Sequence, residues 1–224
     1  MTATMTAPFA TFADVIAGLG DVPLWRVAAW PAPGTATEAD VIRHVEAVDR
    51  WLVELVDGTL VEKGMGWKRA RLAIWLGGRL DRYCEEHDIG WVTAPDTMAR
   101  MQGGNVRIPD VSVFPFTMFP DGTIPDEKVA SVSPQLAVEI LSDSNTLAEI
   151  AKKLREYFAS GTTLAWVIDP EKRAAKVYTS ATKFTTLDDA GALDGQGILP
   201  GFLCPLTDLF AAGDHLSPTR KKAP

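Results

Sequence analysis

The chain has 224 residues, of which 46% are hydrophobic and 23% charged, and its formal net charge is −7. This composition is typical of a globular protein of about one domain and excludes a low-complexity chain. No apolar run approaches the roughly 18 residues of a transmembrane helix, and the first residues lack the basic and apolar regions of a secretory signal. Cys84 and Cys204 lie far apart without a CxxC pattern, which points away from structural zinc and towards a cytoplasmic location. The pI near 5.0 argues against tight, non-specific DNA binding, although a local basic patch can override a global charge.

The first predicted elements precede residue 67. Residues 1–36, rich in Ala, Thr and Pro, predict an irregular lead-in with room for one short helix. A helix then follows in "TEADVIRHVEAVDR", capped by Thr37. Two apolar runs in "WLVELVDGTLVEK" flank Asp57-Gly58, a two-residue turn that strongly indicates a β-hairpin.

A long helix is predicted over residues 67–87. One apolar stripe runs along it, formed by Leu72, Leu76, Leu80, Tyr83 and Cys84. A basic ribbon lies beside this stripe, and it is either a solvated helix flank or a surface that faces phosphates; its members are Lys68, Arg71, Arg79 and Arg82, with Trp75 among them.

The second half of the chain alternates strands and helices. Strands are predicted near "WVTA", "TMARM" and "NVRIPDVSVF", and "SPQLAVEILS" is apolar on both faces, as a central covered strand is. A helix in "NTLAEIAKKLREYFASG" ends at Gly161, and the first turn is predicted to be capped by Ser144 or Asn145. Strand, turn and strand follow in "TLAWVIDPEKRAAKVYTS". We therefore predict one mixed α/β domain over residues 37–212, with a central mixed sheet flanked by helices, and a flexible tail over residues 213–224.

Two acidic residues lie in strands that are otherwise apolar. Strand alternation puts Ile108, Asp110 and Ser112 on one face, and it puts Glu139 on one face of the later strand. If the strands are neighbours, two unpaired anions would lie close together and repel each other. A hard divalent cation such as Mg²⁺ removes this penalty and favours carboxylate ligands.

A lysine on the next helix is a candidate partner for these acids. Glu149, Lys153 and Tyr157 share one side of that helix at four-residue spacing, whereas Lys152 points about 100° away. Lys153 could therefore reach the end of the strand and orient a water molecule or offset charge on a phosphate.

Each of these features also has an ordinary structural interpretation. Asp110, after Pro109, could cap a turn, and Glu149 with Lys153 could form a surface ion pair worth about 0.3–0.5 kcal/mol. Tyr157 could belong to the core. The conjunction of two buried acids and a lysine on the following element favours a catalytic site.

The same residues resemble those of a known family. "PDVSVF" and "PQLAVEILSDSNTLAEIAKKLREYFASGTTLAWVIDPEKRAAKVY" resemble the Uma-two family, restriction-endonuclease-like proteins of the PD-(D/E)xK nuclease superfamily. The similarity runs from about "VELVDGTLVEK" to "ILPGFLCPLTDLF". The resemblance implies a restriction-endonuclease-like core, dependence on Mg²⁺ (which Mn²⁺ can replace), hydrolysis of DNA phosphodiester bonds and a homodimer.

The resemblance also assigns roles to individual residues. Asp110 matches the acid of the PD motif and Glu139 the acid of the (D/E)xK motif, so both would bind the metal. Leu141 stands where the motif lysine is expected, and Lys153 on the next helix matches the lysine of this family. Four residues would support the site: Glu54, Glu62, Glu149 and Tyr157. Relatives often carry a histidine where this chain has Arg69, which could instead contact phosphate, as could Lys68 and Arg71.

The sequence thus predicts a Mg²⁺-dependent endonuclease in which Asp110, Glu139 and Lys153 are catalytic. Two alternatives remain open. The acidic pI and Arg69 favour a catalytically weak or inactive nuclease fold that acts as a binding or regulatory module. An unrelated metal-dependent hydrolase would instead act on small phosphodiesters without preference for nucleic acid.

Overall fold

A computed structural model describes residues 11–47, 51–64, 66–119, 121–124 and 126–214. Five α-helices lie within these residues: α1 (Phe12–Gly18), α2 (Glu38–Glu46), α3 (Trp67–His87), α4 (Leu147–Ala159) and α5 (Leu206–Gly213). None of these helices is both long and apolar enough to span a membrane. Short 3₁₀ turns occupy Leu24–Arg26 and Phe116–Met118.

The strands form two larger sheets and one two-stranded ribbon. The five-stranded sheet has the order β2-β1-β5-β4-β7 and consists of β1 (Val53–Val56), β2 (Thr59–Glu62), β4 (Met98–Arg100), β5 (Val106–Arg107) and β7 (Val129–Ala130). The six-stranded sheet has the order β11-β10-β9-β8-β6-β3 and consists of β3 (Gly90–Thr93), β6 (Val111–Pro115), β8 (Leu136–Ile140), β9 (Leu164–Asp169), β10 (Ala174–Tyr178) and β11 (Phe184–Leu187). The ribbon pairs β12 (Ala192–Asp194) with β13 (Leu203–Pro205). The structure thus confirms the predicted mixed α/β fold.

Strand β8 lies in the middle of the six-stranded sheet, as its apolar sequence predicts. It pairs antiparallel with β6 and parallel with β9, and α4 forms the connection between β8 and β9. All five residues of β8 are buried, Glu139 included. This arrangement carries the acid of the central strand into the interior beside α4.

Helix α3 has the predicted limits and buries its apolar stripe. Leu72, Leu76 and Leu80 are inaccessible to solvent and belong to the main core. This core continues through Trp166 of β9 and Phe210 of α5, which packs on α3. The apolar C-terminal segment therefore docks, while the predicted tail from residue 215 onwards lies outside the described residues.

The hairpin prediction is also confirmed. Strands β1 and β2 pair antiparallel around Asp57 and Gly58, whose φ angles of 47° and 71° suit the turn that the Asp-Gly sequence indicates. Helix α1, from the predicted lead-in, packs on this hairpin through an apolar cluster of Val15, Leu19, Val22, Val56 and Val61.

Two local predictions are wrong. The stretch "NVRIPDVSVF" is not one strand, because it breaks between β5 and β6 and passes from the five-stranded to the six-stranded sheet. Pro109 lacks the amide hydrogen that a continuous ladder needs. The cap of α4 is Thr146, whose hydroxyl accepts from the amide of Glu149 at 3.0 Å, and not Ser144 or Asn145.

Candidate active site at the junction of the two sheets

Asp110 lies at the point where the chain passes from one sheet to the other. Its amide donates to the carbonyl of Val138 at 2.8 Å, and the next residue, Val111, pairs with Val138 across β6 and β8. In this antiparallel register Asp110 lies opposite Glu139. The predicted neighbourhood of the two acids is therefore present, and both are buried.

Four donor groups surround the carboxylate of Asp110. Arg69 Nε lies 3.0 and 2.9 Å from its two oxygens, and Arg69 Nη2 lies 2.6 Å from Oδ1. Lys63 Nζ lies 3.0 Å from Oδ1, and the amide of Ile140 donates to Oδ2 at 2.7 Å. Burial raises the pKa of Asp110, but the charges of Lys63 and Arg69 outweigh it and hold the pKa below its usual value. Asp110 is therefore an anion with its full set of donors.

Lys153 joins the second acid to a third. Its Nζ lies 3.2 Å from both oxygens of Glu139 and 2.9 Å from Oε1 of Glu54. Burial lowers the pKa of Lys153, yet Glu139 and Glu54 raise it above the ordinary value, so the lysine stays charged. Lys152 lies 2.8 Å from Asp57 instead, which confirms that the two neighbouring lysines diverge.

Tyr157 completes the contacts of Glu139. Its hydroxyl donates to Glu139 Oε1 at 2.5 Å, from one helical turn beyond Lys153. Burial, together with the charge of Glu139, raises the pKa of Tyr157 well above its usual value. The phenol therefore remains a neutral donor that fixes the orientation of this carboxylate.

Glu54, which the family resemblance placed beside the acids, lies in the five-stranded sheet and is linked through Lys153 to Glu139 of the six-stranded sheet. Its carboxylate accepts from Arg107 Nη1 at 2.9 Å, from the amide of Ile108 at 3.0 Å and from Lys153. Arg107 in turn donates to Glu156 at 2.5 Å. Burial raises the pKa of Glu54, but the charges of Lys153 and Arg107 and the bond from the amide of Ile108 outweigh it and lower this pKa below its usual value.

Glu149 lies in the interior but does not form the expected pair with Lys153. Arg26 binds it through two bonds of 2.9 and 2.8 Å, and the side-chain amide of Asn145 donates to it at 2.9 Å. Both partners of the Arg26–Glu149 pair are 1% exposed. Glu149 therefore anchors the first turn of α4 to the N-terminal segment, and it acts on Lys153 only through its charge.

Three predicted residues lie apart from these contacts. Glu62 is half-buried and contributes its backbone carbonyl, which accepts from Arg26 Nε at 2.8 Å. Lys68 reaches Glu171 on the surface at 3.2 Å, and Arg71 donates to the carbonyl of Ala212. Lys68 and Arg71 of the basic ribbon thus contact other parts of the protein, whereas Arg69, which is not a member of that ribbon, turns inwards.

Sequence reasoning missed three bases of the site: Arg26, Lys63 and Arg107. Lys63 directly follows a buried strand and Arg107 lies within one, so the same alternation argument that found the acids could have found both. Arg26 gives no such signal, because its partner Glu149 is 123 positions away.

The acids of the site and the bases that contact them form one group, which we call the ion cluster. Its acids are Glu54, Asp110, Glu139, Glu149 and Glu156, and its bases are Arg26, Lys63, Arg69, Arg107 and Lys153.

The donor chemistry of the site suits a hard divalent cation. Mg²⁺ is usually bound by one or two carboxylates together with water and substrate phosphate, and Asp110 and Glu139 supply that number. In the part of the chain that the structure describes, no three Asp, Glu, His or Cys side chains form a ready-made cage. Because bases already bind both carboxylates, a metal ion fits here once a side-chain donor leaves Asp110.

Comparisons with known proteins bear on the fold and the family of the chain. Among the solved structures, the chain is similar to a putative nuclease belonging to DUF820 from Anabaena variabilis, with a TM-score of 0.65 and 19% sequence identity. The alignment covers 72% of this chain and 90% of that one, and at this identity it shows a shared fold. A search of the curated proteins finds no match. Residues 45–207, well over half of the chain, match the Uma2 family, described as "Putative restriction endonuclease". The chain therefore belongs to the Uma2 family.

Proposed function

We propose that the protein is a metal-dependent endonuclease that hydrolyses phosphodiester bonds in DNA. The observation that carries the proposal is the position of three side chains. The β6–β8 register, continued by one residue beyond Val111, sets Asp110 opposite Glu139, and Lys153 Nζ lies 3.2 Å from both Glu139 oxygens. Two acids and a lysine in this relation suit phosphodiester hydrolysis, and membership of the Uma2 family supports the same activity.

Asp110 and Glu139 would hold Mg²⁺, or Mn²⁺ in its place. When bound, the ion would offset the charge of both acids and withdraw charge from a phosphate oxygen. The protein's own residues prepare the remaining steps. Lys153 keeps its proton and so presents a positive charge to the phosphate or to the attacking water. Tyr157 fixes Glu139, and Glu54 holds Lys153 from the other side.

Further parts of the proposal concern partners and location. The substrate would be DNA, bound by a homodimer as in many restriction-endonuclease-like proteins. The net charge of −7 favours contacts confined to the site over broad, non-specific attraction. The buried free thiols of Cys84 and Cys204 support action in the cytoplasm. Light scattering on the full chain, with and without DNA, tests the homodimer.

The activity is tested by nicking of supercoiled plasmid with Mg²⁺ or Mn²⁺. We expect Asp110→Asn, Glu139→Gln and Lys153→Met to abolish nicking. Asp81→Asn is the matched control, because Asp81 is an exposed residue of α3 about 18 Å along the helix from Arg69. Circular dichroism establishes that each variant is folded. Wild type as inert as folded Asp110→Asn, or equal activity in both, would refute the assignment.

A second candidate is a non-catalytic binding module that retains the nuclease fold. The observation that favours it is the salt-bridged state of Asp110, whose oxygens are bound by Lys63 and Arg69. A module of this kind would bind DNA equally well with EDTA and with Mg²⁺. Calorimetric titration combined with the nicking assay distinguishes the two. Affinity for Mn²⁺ that is lost in Asp110→Asn, together with nicking by the wild type, would exclude the non-catalytic role, whereas no affinity for Mn²⁺ in the presence of DNA would support it. Turnover of a small chromogenic phosphodiester in preference to plasmid would instead indicate a hydrolase of small substrates.

A further inference from the structure

Arg69 holds Asp110 in a geometry that leaves little room for another cation. Its guanidinium makes a forked contact with the carboxylate, at 2.6 Å for Nη2 and at 2.9 and 3.0 Å for Nε. The third nitrogen, Nη1, donates to the carbonyl of Gly64 at 2.5 Å. Forked arginine–carboxylate pairs are among the stronger charge-assisted contacts in proteins.

The other donors to Asp110 complete its hydrogen-bonding capacity. Oδ1 also accepts a bond from the ammonium of Lys63, and this ammonium donates a second bond to the carbonyl of Ile108. Oδ2 accepts a bond from the amide of Ile140. A carboxylate offers about four lone-pair positions. A metal ion can therefore gain an oxygen of Asp110 only by displacing one of these donors.

Charge balance leads to the same conclusion. The ion cluster is buried except for Glu156, whose side chain is 13% exposed, and it carries as many bases as acids. A divalent ion added to it would therefore place two uncompensated charges in the interior. Loss of one base from the interior halves that excess. Metal binding and the departure of a base are therefore coupled.

Arg69 is the base best placed to leave. It is 7% exposed, more than any other base of the ion cluster, and it lies in the first turn of α3. The adjoining Trp67 is 96% exposed, so this turn borders solvent. The helix dipole disfavours a cation at this end, which leaves Asp110 as the principal attraction for Arg69. Arg69 and Lys63 each donate to a backbone carbonyl as well, Arg69 to Gly64 and Lys63 to Ile108, so the greater exposure of Arg69 and its place in the first turn of α3 distinguish the two.

We propose that Arg69 and a divalent cation compete for Asp110, so that Arg69 sets the metal affinity of the site. This inference rests on the proposed function, because it takes Asp110 as a metal ligand. The metal-free protein keeps its site neutral through the Arg69–Asp110 pair, and the ion binds after the guanidinium has turned outwards. Arg69 is thus an affinity-determining residue and not a metal ligand.

The test is isothermal titration of the full chain with MnCl₂. We expect Arg69→Gln, which keeps hydrogen-bond donors but lacks the charge, to bind Mn²⁺ on the order of tenfold to a hundredfold more tightly than wild type. The matched control is Arg79→Gln, on the same helix, where Arg79 is 43% exposed and pairs with Asp208. Its affinity should equal that of wild type. Adding Asp110→Asn to Arg69→Gln should abolish the gain.

A second variant covers the case in which Arg69→Gln does not fold. Arg69→Lys keeps the charge and loses the fork, and it should give a smaller gain in affinity than Arg69→Gln, yet a measurable one. Equal affinity of wild type and the folded Arg69 variant would overturn the inference and leave the metal site standing. Absence of Mn²⁺ binding in the wild type and in every variant would overturn both the role of Arg69 and the metal site itself. Tighter binding in the variant, with no DNA cleavage by any protein, would refute the proposed function and support the role of Arg69.

Discussion

Lys153 becomes a buried shared cation because helical geometry turns it inwards while its neighbour turns outwards. Its ammonium lies between Glu54 and Glu139 and is 2% exposed. Lys152, one residue earlier, contacts Asp57 and Glu156 near the surface. Two adjacent lysines thus lie in surroundings of different dielectric constant, and their charges therefore contribute differently to the stability of the folded protein.

This difference predicts unequal effects on stability. Lys153→Met should lower the free energy of unfolding by about 3–5 kcal/mol, because it leaves two buried carboxylates without their shared cation. Lys152→Met removes a more exposed ion pair and should cost about 1 kcal/mol or less. Urea denaturation followed by circular dichroism measures both values. Similar losses in the two variants would contradict the proposed burial of charge at Lys153.

Arg26 gives the complementary case, a site residue supplied by a segment outside the family match. It lies in the 3₁₀ turn after α1 and reaches both Glu149 and the carbonyl of Ser144. Residues 11–36 therefore contribute a buried charge to the interior, which composition alone does not indicate. The predicted domain boundary at residue 36 stays a prediction.

At the scale of elements, the hairpin of β1 and β2 brings Glu54 to the site, and its turn packs closely. Gly58 has a φ of 71°, and a Cβ atom there would lie 2.7 Å from the carbonyl carbon and oxygen of Gly34. Gly104 has a φ of 92° but no atom within 4 Å of the corresponding position. The two glycines share a backbone conformation that other residues rarely adopt and differ in the space around them.

We therefore expect Gly58→Ala to destabilise the protein more than Gly104→Ala does. The left-handed conformation costs roughly 1–2 kcal/mol in either variant, and the approach of Gly34 adds to the cost at Gly58 alone. Thermal and urea denaturation of both variants measure the difference. If Gly104→Ala lowers the free energy of unfolding as much as Gly58→Ala does, the close packing of Gly58 against Gly34 does not add to the cost of the substitution.

At the scale of the whole molecule, the ion cluster fills the junction between two sheets that have separate apolar cores. One core lies around α3 and the six-stranded sheet, and another lies around α2 and the five-stranded sheet. Lys153 joins Glu54 of the five-stranded sheet to Glu139 of the six-stranded sheet, and other bases of the ion cluster hold Asp110 and Glu149. The relation between the sheets thus depends on carboxylates that must remain ionised.

This dependence predicts a loss of stability in acid. The native pKa values of Glu54, Asp110 and Glu149 lie below their ordinary values of 4.5, 3.8 and 4.5, because bases outweigh the effect of burial. The unfolded chain therefore takes up protons first as the pH falls. The stabilisation is complete above about pH 4.5 and declines below it, by at most about 1.4 kcal/mol per pH unit for each group.

Denaturant unfolding between pH 7 and pH 3 measures this decline. Glu171→Gln is the matched control, since Glu171 is 74% exposed and should leave the pH dependence unchanged. A free energy of unfolding that stays constant from pH 5 to pH 3 would show that the three acids are not held as ions in the folded protein.

The sequence by itself determined the elements whose signals are local. Helix α3 follows from its apolar stripe, the hairpin from Asp57-Gly58, and the central strand from the unbroken apolar run around Glu139. The presence of Asp110 and Glu139 within apolar runs of the sequence also predicted that each needs a partner, since burial of an unpaired charge is costly. Resemblance to one family gave the expectation of a nuclease, and the match to Uma2 bears out the family.

Only the tertiary structure decided which charges meet. The break at Pro109 carries Asp110 into the junction. Glu149 pairs with Arg26, and Asp110 pairs with Arg69 and Lys63, so each pair joins positions that lie far apart in the chain. Local periodicity gives the face on which a side chain lies, but not the element that packs against that face. Coulomb interactions act between neighbours in space, so the pairing of these ions was fixed only when the sheets came together.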